Sequence, residues 1–405
     1  MATLYDSIAE KAQELSGKVA EWRQQLHSHP ELSYQEYRTS QFVADILKTI
    51  PGMAVETGVG YPTAVVGTLS AGVGPTIALR ADMDALPIME ENQTPYRSQQ
   101  EGVMHACGHD AHTSILLGVA HVLAERFERQ ELTGTVKFIF QPAEESTDEN
   151  GLTGAVHMIR AGVLDGVDCA IALHMSPENP VGEIQVNAGY SMANVDVFDA
   201  KIFGTGGHGA YPHLGTDPIW MLGPVLQALH GIVSRKVSPL DAAVVSVGQI
   251  HAGSASNIIP SEVTVQGTLR SYTPEVREQL ITEVEKVFSL VDILGGSYTF
   301  HAQRGEPALK NDETVNEWIK QTLQDLYPDC RLVHTPFGLG GEDFAYMAQR
   351  VPAAMFFLGC ALPDGIKREL HTPIFDIDER CLPMGVTILA EIAKRFLEGQ
   401  YQLKK

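Results

Sequence analysis

The sequence has no apolar run approaching the ~18 residues that would mark a membrane span. Positive charge is scarce as well: 29 Lys and Arg face 50 Asp and Glu, a formal net charge of -21. Such a surface repels phosphate backbones and anionic lipid heads, so nucleic-acid binding and attachment to a membrane surface are excluded as expected roles. Cysteine is sparse and odd in number. Cys107, Cys169, Cys330, Cys360 and Cys381 are scattered through a long chain, the opposite of a stapled secreted scaffold. The segment MATLYDSIAEKAQELSGK mixes acids and bases and lacks the apolar stretch of a signal peptide. A cytoplasmic protein is expected, with neither internal repeats nor a low-complexity linker.

What is present is a large apolar fraction, 44% of 405 residues, in a chain longer than the ~250 to 300 residues at which one core divides. Two domains follow. Ile8, Ala12, Leu15, Val19, Trp22 and Leu26 recur at helical spacing until Pro30, and a second helix is expected from Glu36 to Thr49. Strands at 64–69, 76–81, 135–141 and 169–174 then alternate with helices at 113–127 and 154–161. This rhythm predicts an α/β catalytic domain with a mostly parallel sheet. From about Tyr190 the order becomes strand (193–203), helix (218–233), strand (242–250), strand (262–271), helix (274–294), strand (298–303), a ferredoxin-like α+β arrangement. After Glu306 the α/β rhythm resumes, with a helix at 314–326, a strand at 354–358 and a last helix at 382–397. The inserted segment, 190–305, therefore divides a discontinuous domain made of 1–189 and 306–405.

In open α/β sheets reactive groups gather beyond the carboxyl ends of the strands. Strand 76–81 runs into Asp82-Met83-Asp84, strand 135–141 into Pro142-Ala143-Glu144-Glu145, and strand 169–173 into His174. Between the first two lies MHACGHDAH (Met104 to His112). A thiol, imidazoles and carboxylates thus converge on one rim, a ligand set for zinc that also admits manganese or cobalt. Glu144 and Glu145, alone, would read as a solvated acidic pair. At a strand end they can divide two tasks, one holding a metal and the other taking a proton from water. His27 and His29 read as structural because they end a helix away from this rim. His105 and His112 read as packing or supporting groups.

RADMDALP (Arg80 to Pro87), MHACGHDAH, FQPAEE (Phe140 to Glu145), LHM (Leu173 to Met175), GGHGAYPH (Gly206 to His213), NIIP (Asn257 to Pro260), GGEDF (Gly340 to Phe344) and LHTP (Leu370 to Pro373) occur in that order. Together they resemble the aminoacylase and carboxypeptidase family of cocatalytic metallopeptidases, in the branch of hippurate hydrolases, N-acyl-L-amino acid amidohydrolases and auxin-conjugate amidohydrolases. The resemblance spans nearly the whole chain.

It implies two divalent ions, zinc, manganese or cobalt, and hydrolysis of N-acyl-L-amino acids, with a carboxypeptidase or dipeptidase acting on short peptides as the alternative. Cys107 would bridge the ions, with His109 and His174 completing one site and Glu145 and His371 the other. Glu144 looks like the general base, and Asp84 resembles the aspartate that orients a ligand imidazole. Asp82 stands where distant relatives carry a metal-binding histidine and is not expected to be a ligand. His208, in the inserted lid, matches a histidine that polarises the scissile carbonyl. Asn257 and Arg270 match positions that hold the substrate carboxylate, helped by backbone around Gly340 and Gly341. The lid is also expected to join two copies into a homodimer. One departure stands out: relatives follow the paired glutamates with glycines, whereas this chain has Ser146-Thr-Asp-Glu-Asn150, a change expected to alter substrate choice and not chemistry.

Overall fold

A computed structural model describes residues 7–403; Met1 to Asp6, the start of the N-terminal segment read above, lie outside the described residues. Contacts divide the chain into two compact units. The first comprises Met1–Gly189, Lys310–Phe337 and Tyr346–Lys405, and the second Tyr190–Leu309 and Gly338–Ala345.

The first unit is built on an eight-stranded sheet in the order Ala54–Thr57, Val65–Ala71, Gly134–Gln141, Thr76–Asp82, Cys169–Pro180, Ala353–Ala361, Glu183–Gln185, Arg331–Val333. The four middle strands run parallel to one another, and each outer one of the four has an antiparallel neighbour on its far side. Parallel strands covered on both faces carry near-continuous apolar runs. Phe138, Ile139 and Phe140 accordingly have no exposed surface, nor do Ala170, Ile171 and Ala172. The helices His109–Glu128 and Leu382–Leu397 join the same core, through Ile115, Leu116 and Val119 on one and Val386, Leu389 and Ile392 on the other.

The long N-terminal helix read from periodicity is two helices, Ile8–Glu14 and Ser16–Ser28. At Leu15 ψ relaxes to -8°, and the Ser16 hydroxyl donates back to the Gln13 carbonyl at 2.7 Å. A serine bonding the preceding turn competes with the helical ladder. The apolar face still continues across the break, with Ala12, Val19 and Trp22 in one core.

Within that face lies a buried ionic group. Arg23, with no exposed surface, donates to Asp110 at 2.8 Å and to Asp376 at 3.0 Å. His27 sits between Asp110 at 2.7 Å and Glu90 at 3.2 Å, a structural place, while His29 Nδ1 lies 3.0 Å from the Gln25 carbonyl. Arg23→Ala would remove the cation that two buried carboxylates share and should lower unfolding free energy by about 3–5 kcal/mol, measured by urea denaturation. A loss under ~1 kcal/mol would show the group to be energetically idle.

The second unit has a four-stranded antiparallel sheet in the order Ala243–Ala252, Glu262–Ser271, Asn194–Phe203, Ser297–Arg304. In chain order this is 2-3-1-4, the ferredoxin-like arrangement. Residues of Glu262–Ser271 alternate between buried and half-buried, as a strand with one face on a core requires. That face packs Val263, Val265 and Leu269 against Val225 and Leu229 of helix Pro218–Lys236 and Leu280 and Val284 of helix Pro274–Phe288. The helix read as 274–294 is interrupted at Ser289, whose hydroxyl bonds the Lys286 carbonyl at 2.7 Å.

Candidate active site

Parallel register sets the geometry of the rim. Arg80 pairs with Ile139 on one side and Ala172 on the other, and Asp82 pairs with Gln141. Asp82, Gln141 and His174 therefore stand at one level. Arg80 crosses beneath them, donating to Gln141 at 2.9 Å and to Asp82 at 2.7 Å. The neighbouring helix begins four residues earlier than its apolar period suggests, at His109, because Gly108 takes φ 91° and turns the chain straight into it. Only glycine adopts that backbone without strain.

These elements bring together the residues named for the metals. Cys107 Sγ lies 3.5 Å from His174 Nε2 and 3.3 Å from His371 Nε2. His371 Nε2 lies 3.1 Å from Glu145 Oε1, and His109 Nε2 is 3.8 Å from the same oxygen. Cys107, His109 and His174 form one cluster with all donor atoms within 4.8 Å of each other; Cys107, Glu145 and His371 form a second. Ligands ~2.0–2.3 Å from a tetrahedral ion stand about 3.3–3.8 Å apart, so these separations suit coordination.

The supporting bonds fix which ring nitrogens face inward. His174 Nδ1 donates to the Met175 carbonyl at 2.8 Å, which leaves Nε2 as the lone-pair donor toward Cys107. His109 Nδ1 faces Asp84 Oδ1 at 3.3 Å. Asp84 also accepts the backbone N–H groups of Glu144 at 3.1 Å and Glu145 at 3.0 Å, and the Ser33 hydroxyl at 2.6 Å. His371 has a left-handed backbone, φ 59°, and its N–H donates to the Ala106 carbonyl at 2.8 Å. Asp82, His109 and His112 also lie within ligand distance of each other. Two of those donors are already engaged: His112 Nδ1 bonds Asp82 Oδ1 at 2.6 Å, and His112 Nε2 accepts the Met175 N–H at 2.8 Å.

The electrostatics call for cations. Burial opposes charge on His109, but Asp82, Asp84 and Glu145 outweigh it and lift its pKa to about 10. Burial, then the Glu145 and Glu144 carboxylates, push the Cys107 thiol well above its usual range, the reverse of an activated nucleophile. Burial, then His112, keeps His174 neutral, the form that coordinates. His109 Nε2, the ring nitrogen turned away from Asp84, and Glu145 Oε1 are buried and make no hydrogen bond. Buried polar atoms are seldom left so, and divalent ions between these groups would satisfy both. The residues present therefore fit a pair of ions. His105, also buried and without a partner, is held neutral near pKa 4 mainly by burial.

His208, Asn257, Arg270 and Gly341 lie in the second unit. His208 is exposed on a two-residue strand paired with Ile258–Ile259. Its Nδ1 accepts the Ala210 N–H at 3.0 Å, so Nε2 carries the proton of the neutral ring. Asn257 is exposed beside it, its carbonyl accepting the Gly209 N–H at 2.8 Å. Arg270 is half-buried, contacts Thr268 and the Leu269 carbonyl, and forms no ion pair among the described residues. Gly341 is packed tightly: a Cβ there would fall 2.4 Å from Val195 and 2.5 Å from Glu306. The Ser146–Asn150 segment is ordered by Asp148, which accepts the N–H groups of Asn150 and Leu152 and bonds His157 at 3.0 Å.

A mixed sheet whose strand ends gather one thiol, several imidazoles and paired carboxylates defines a metallohydrolase type of α/β protein. The sequence pattern of Peptidase family M20/M25/M40 matches residues 78–395. A thermostable carboxypeptidase of Saccharolobus solfataricus is 37% identical over 97% of this chain and 99% of its own. The N-acetyl-L-cysteine deacetylase of Bacillus subtilis is 38% identical over 94% and 89%. The crystal structure of B. subtilis YXEP, described as a dinuclear metal binding peptidase from the M20 family, superposes with a TM-score of 0.82 at 33% identity, covering 95% of this chain and 99% of that one. The chain belongs to Peptidase family M20/M25/M40, whose members hydrolyse amide bonds.

Proposed function

We propose that this protein is a two-metal amidohydrolase that cleaves N-acyl-L-amino acids to a carboxylic acid and a free amino acid. The observation that carries the reading is the shared thiol: Cys107 belongs to both donor clusters, one with His109 and His174, the other with Glu145 and His371. These five residues would hold two divalent ions of zinc, manganese or cobalt. Bound there, such ions would lower the pKa of a water toward neutrality and polarise the amide carbonyl.

The chain's own groups do the rest. Glu144 takes the proton of the attacking water and passes it to the departing amine nitrogen. Its reach is set by Asp84, which holds its backbone N–H. His208, with its proton on Nε2, donates to the carbonyl oxygen as negative charge develops there. Arg270, which forms no ion pair among the described residues, receives the substrate carboxylate together with Asn257 and backbone at Gly341. In the same reading the inserted segment, 190–305, is the lid and 1–189 with 306–405 the catalytic domain, with water excluded on closure. It also joins two copies into a homodimer, and the protein works in the cytoplasm.

A carboxypeptidase or dipeptidase reading uses the same groups and is favoured by the carboxypeptidase relative. A panel of N-acetyl, N-benzoyl and indole-acetyl amino acids against dipeptides decides, run on protein reconstituted separately with zinc, manganese and cobalt. Turnover of acyl amino acids well above dipeptides is expected, abolished by chelator and restored by metal. Chelator-insensitive activity would sink the metal mechanism. Asp84→Asn is a further check. Each Asp84 oxygen accepts one backbone N–H, so an amide turns its NH2 against one of the two, and metal affinity or turnover should fall about 10–100-fold. Wild-type values in both would remove Asp84 from its orienting role.

A further inference from the structure

Among the described residues, four other than glycine have a left-handed backbone: Tyr34 at φ 68°, Gln130, Ala143 at φ 48° and His371. Such positions cost free energy and persist only where their surroundings over-determine them. Two of the four are tied to one atom. Glu36 Oε1 accepts the Tyr34 N–H at 2.8 Å and the Ala143 N–H at 2.9 Å, while Oε2 accepts the Thr63 hydroxyl at 2.8 Å. Glu36 has no exposed surface.

Ala143 immediately precedes the paired glutamates. The three consecutive N–H groups of Ala143, Glu144 and Glu145 therefore point at two buried carboxylates, Glu36 taking the first and Asp84 the second and third. Successive amides turned to one side make an anion-binding concavity, and here the chain's own side chains fill it. The far side of the turn is closed too. The Ala143 carbonyl accepts the Gly154 N–H at 2.9 Å, and a Cβ on Gly154 would fall 1.7 Å from the Pro142 oxygen.

We infer that Glu36 is a positioning residue for the reaction: its carboxylate holds the left-handed turn at Ala143 and thereby aims Glu144 and Glu145. The inference rests on the roles proposed above for those two glutamates. Asp84 fixes the plane of their peptides, but the direction in which the chain leaves strand Gly134–Gln141 is set one residue earlier, at the bond Glu36 makes. Helix Tyr37–Lys48 and the turn before it are thus part of the catalytic geometry without touching substrate.

Two substitutions separate reach from charge. Glu36→Asp keeps the charge but withdraws the oxygen by one methylene, and Glu36→Gln keeps the reach and gives up the charge. Both are measured as kcat and KM per folded, metal-loaded site, with folding read by near-ultraviolet circular dichroism and metal by elemental analysis. Glu36→Asp should lose about 10–100-fold in kcat, as misplacement by an ångström does, with KM little changed. Glu36→Gln should stay within about threefold of wild type, since the carbonyl still accepts both N–H groups by a weaker bond. A residue needed only for stability would lower the folded fraction and leave kcat per folded site unchanged in both, which overturns the inference. So does the reverse order, with Glu36→Gln the worse.

Should Glu36→Asp fail to fold, Thr63→Val withdraws only the hydroxyl that fixes Oε2. It should lower kcat by about three- to tenfold at constant KM; wild-type kcat in the folded variant overturns the proposal. Glu144→Gln runs alongside. If that variant is inactive while Glu36→Asp keeps wild-type kcat, only the present inference falls; if Glu144→Gln is active, the reading beneath it falls first.

Discussion

Glu144→Gln should retain nearly full metal content while turnover drops by about 10²–10⁴-fold, the share a general base contributes. The substitution is nearly isosteric, and the tie that positions this residue runs from its backbone N–H to Asp84, so the fold of the turn is untouched. KM should move little, because the lost function is proton transfer in the transition state and not binding. Metal analysis and steady-state kinetics on the same preparation check this. Near-wild-type turnover would remove Glu144 from the base role.

Cys107→Ala should lose metal as well as activity. The thiol lies within 3.5 Å of both His174 and His371, which belong to different clusters, so its removal weakens both at once. Loss of a ligand outweighs loss of a supporting bond, which typically costs 10–100-fold in affinity, so at least about 100-fold weaker binding is expected. Competition with a chromogenic chelator measures it. Full occupancy by two ions in the variant would show that the sulfur is not shared. The same variant tests the thiol as nucleophile: activity lost with metal content unchanged would favour direct attack by Cys107 over the metal mechanism.

Strand ends and residue chemistry point to most of this rim. Glu144 and Glu145 follow an apolar strand and Asp82 ends one, whereas the strand expected to stop before His174 runs on to Pro180, so that His174 reaches the rim from within it, level with Asp82 by register. His371 is different. It lies 264 positions from Cys107, on no strand end, and only a likeness to known hydrolases nominates it. The supporting layer left weaker traces still. Arg80, Asp82 and His112 form a chain of short bonds that no spacing reveals, and Glu36 reads in the sequence as nothing more than the polar start of a helix.

From the sequence alone came the alternation of a parallel α/β unit with a ferredoxin-like one, because hydrophobic period and chain length are local quantities that each element must satisfy by itself. The identity of the reactive side chains was equally local. Which nitrogen of each histidine faces inward, where the helix after Gly108 begins, and why an alanine and a tyrosine accept left-handed backbones were decided only in three dimensions. Those features depend on hydrogen bonds between segments distant along the chain, such as Glu36 with Ala143, and a bond of that kind has no signature until folding closes the loop between its partners.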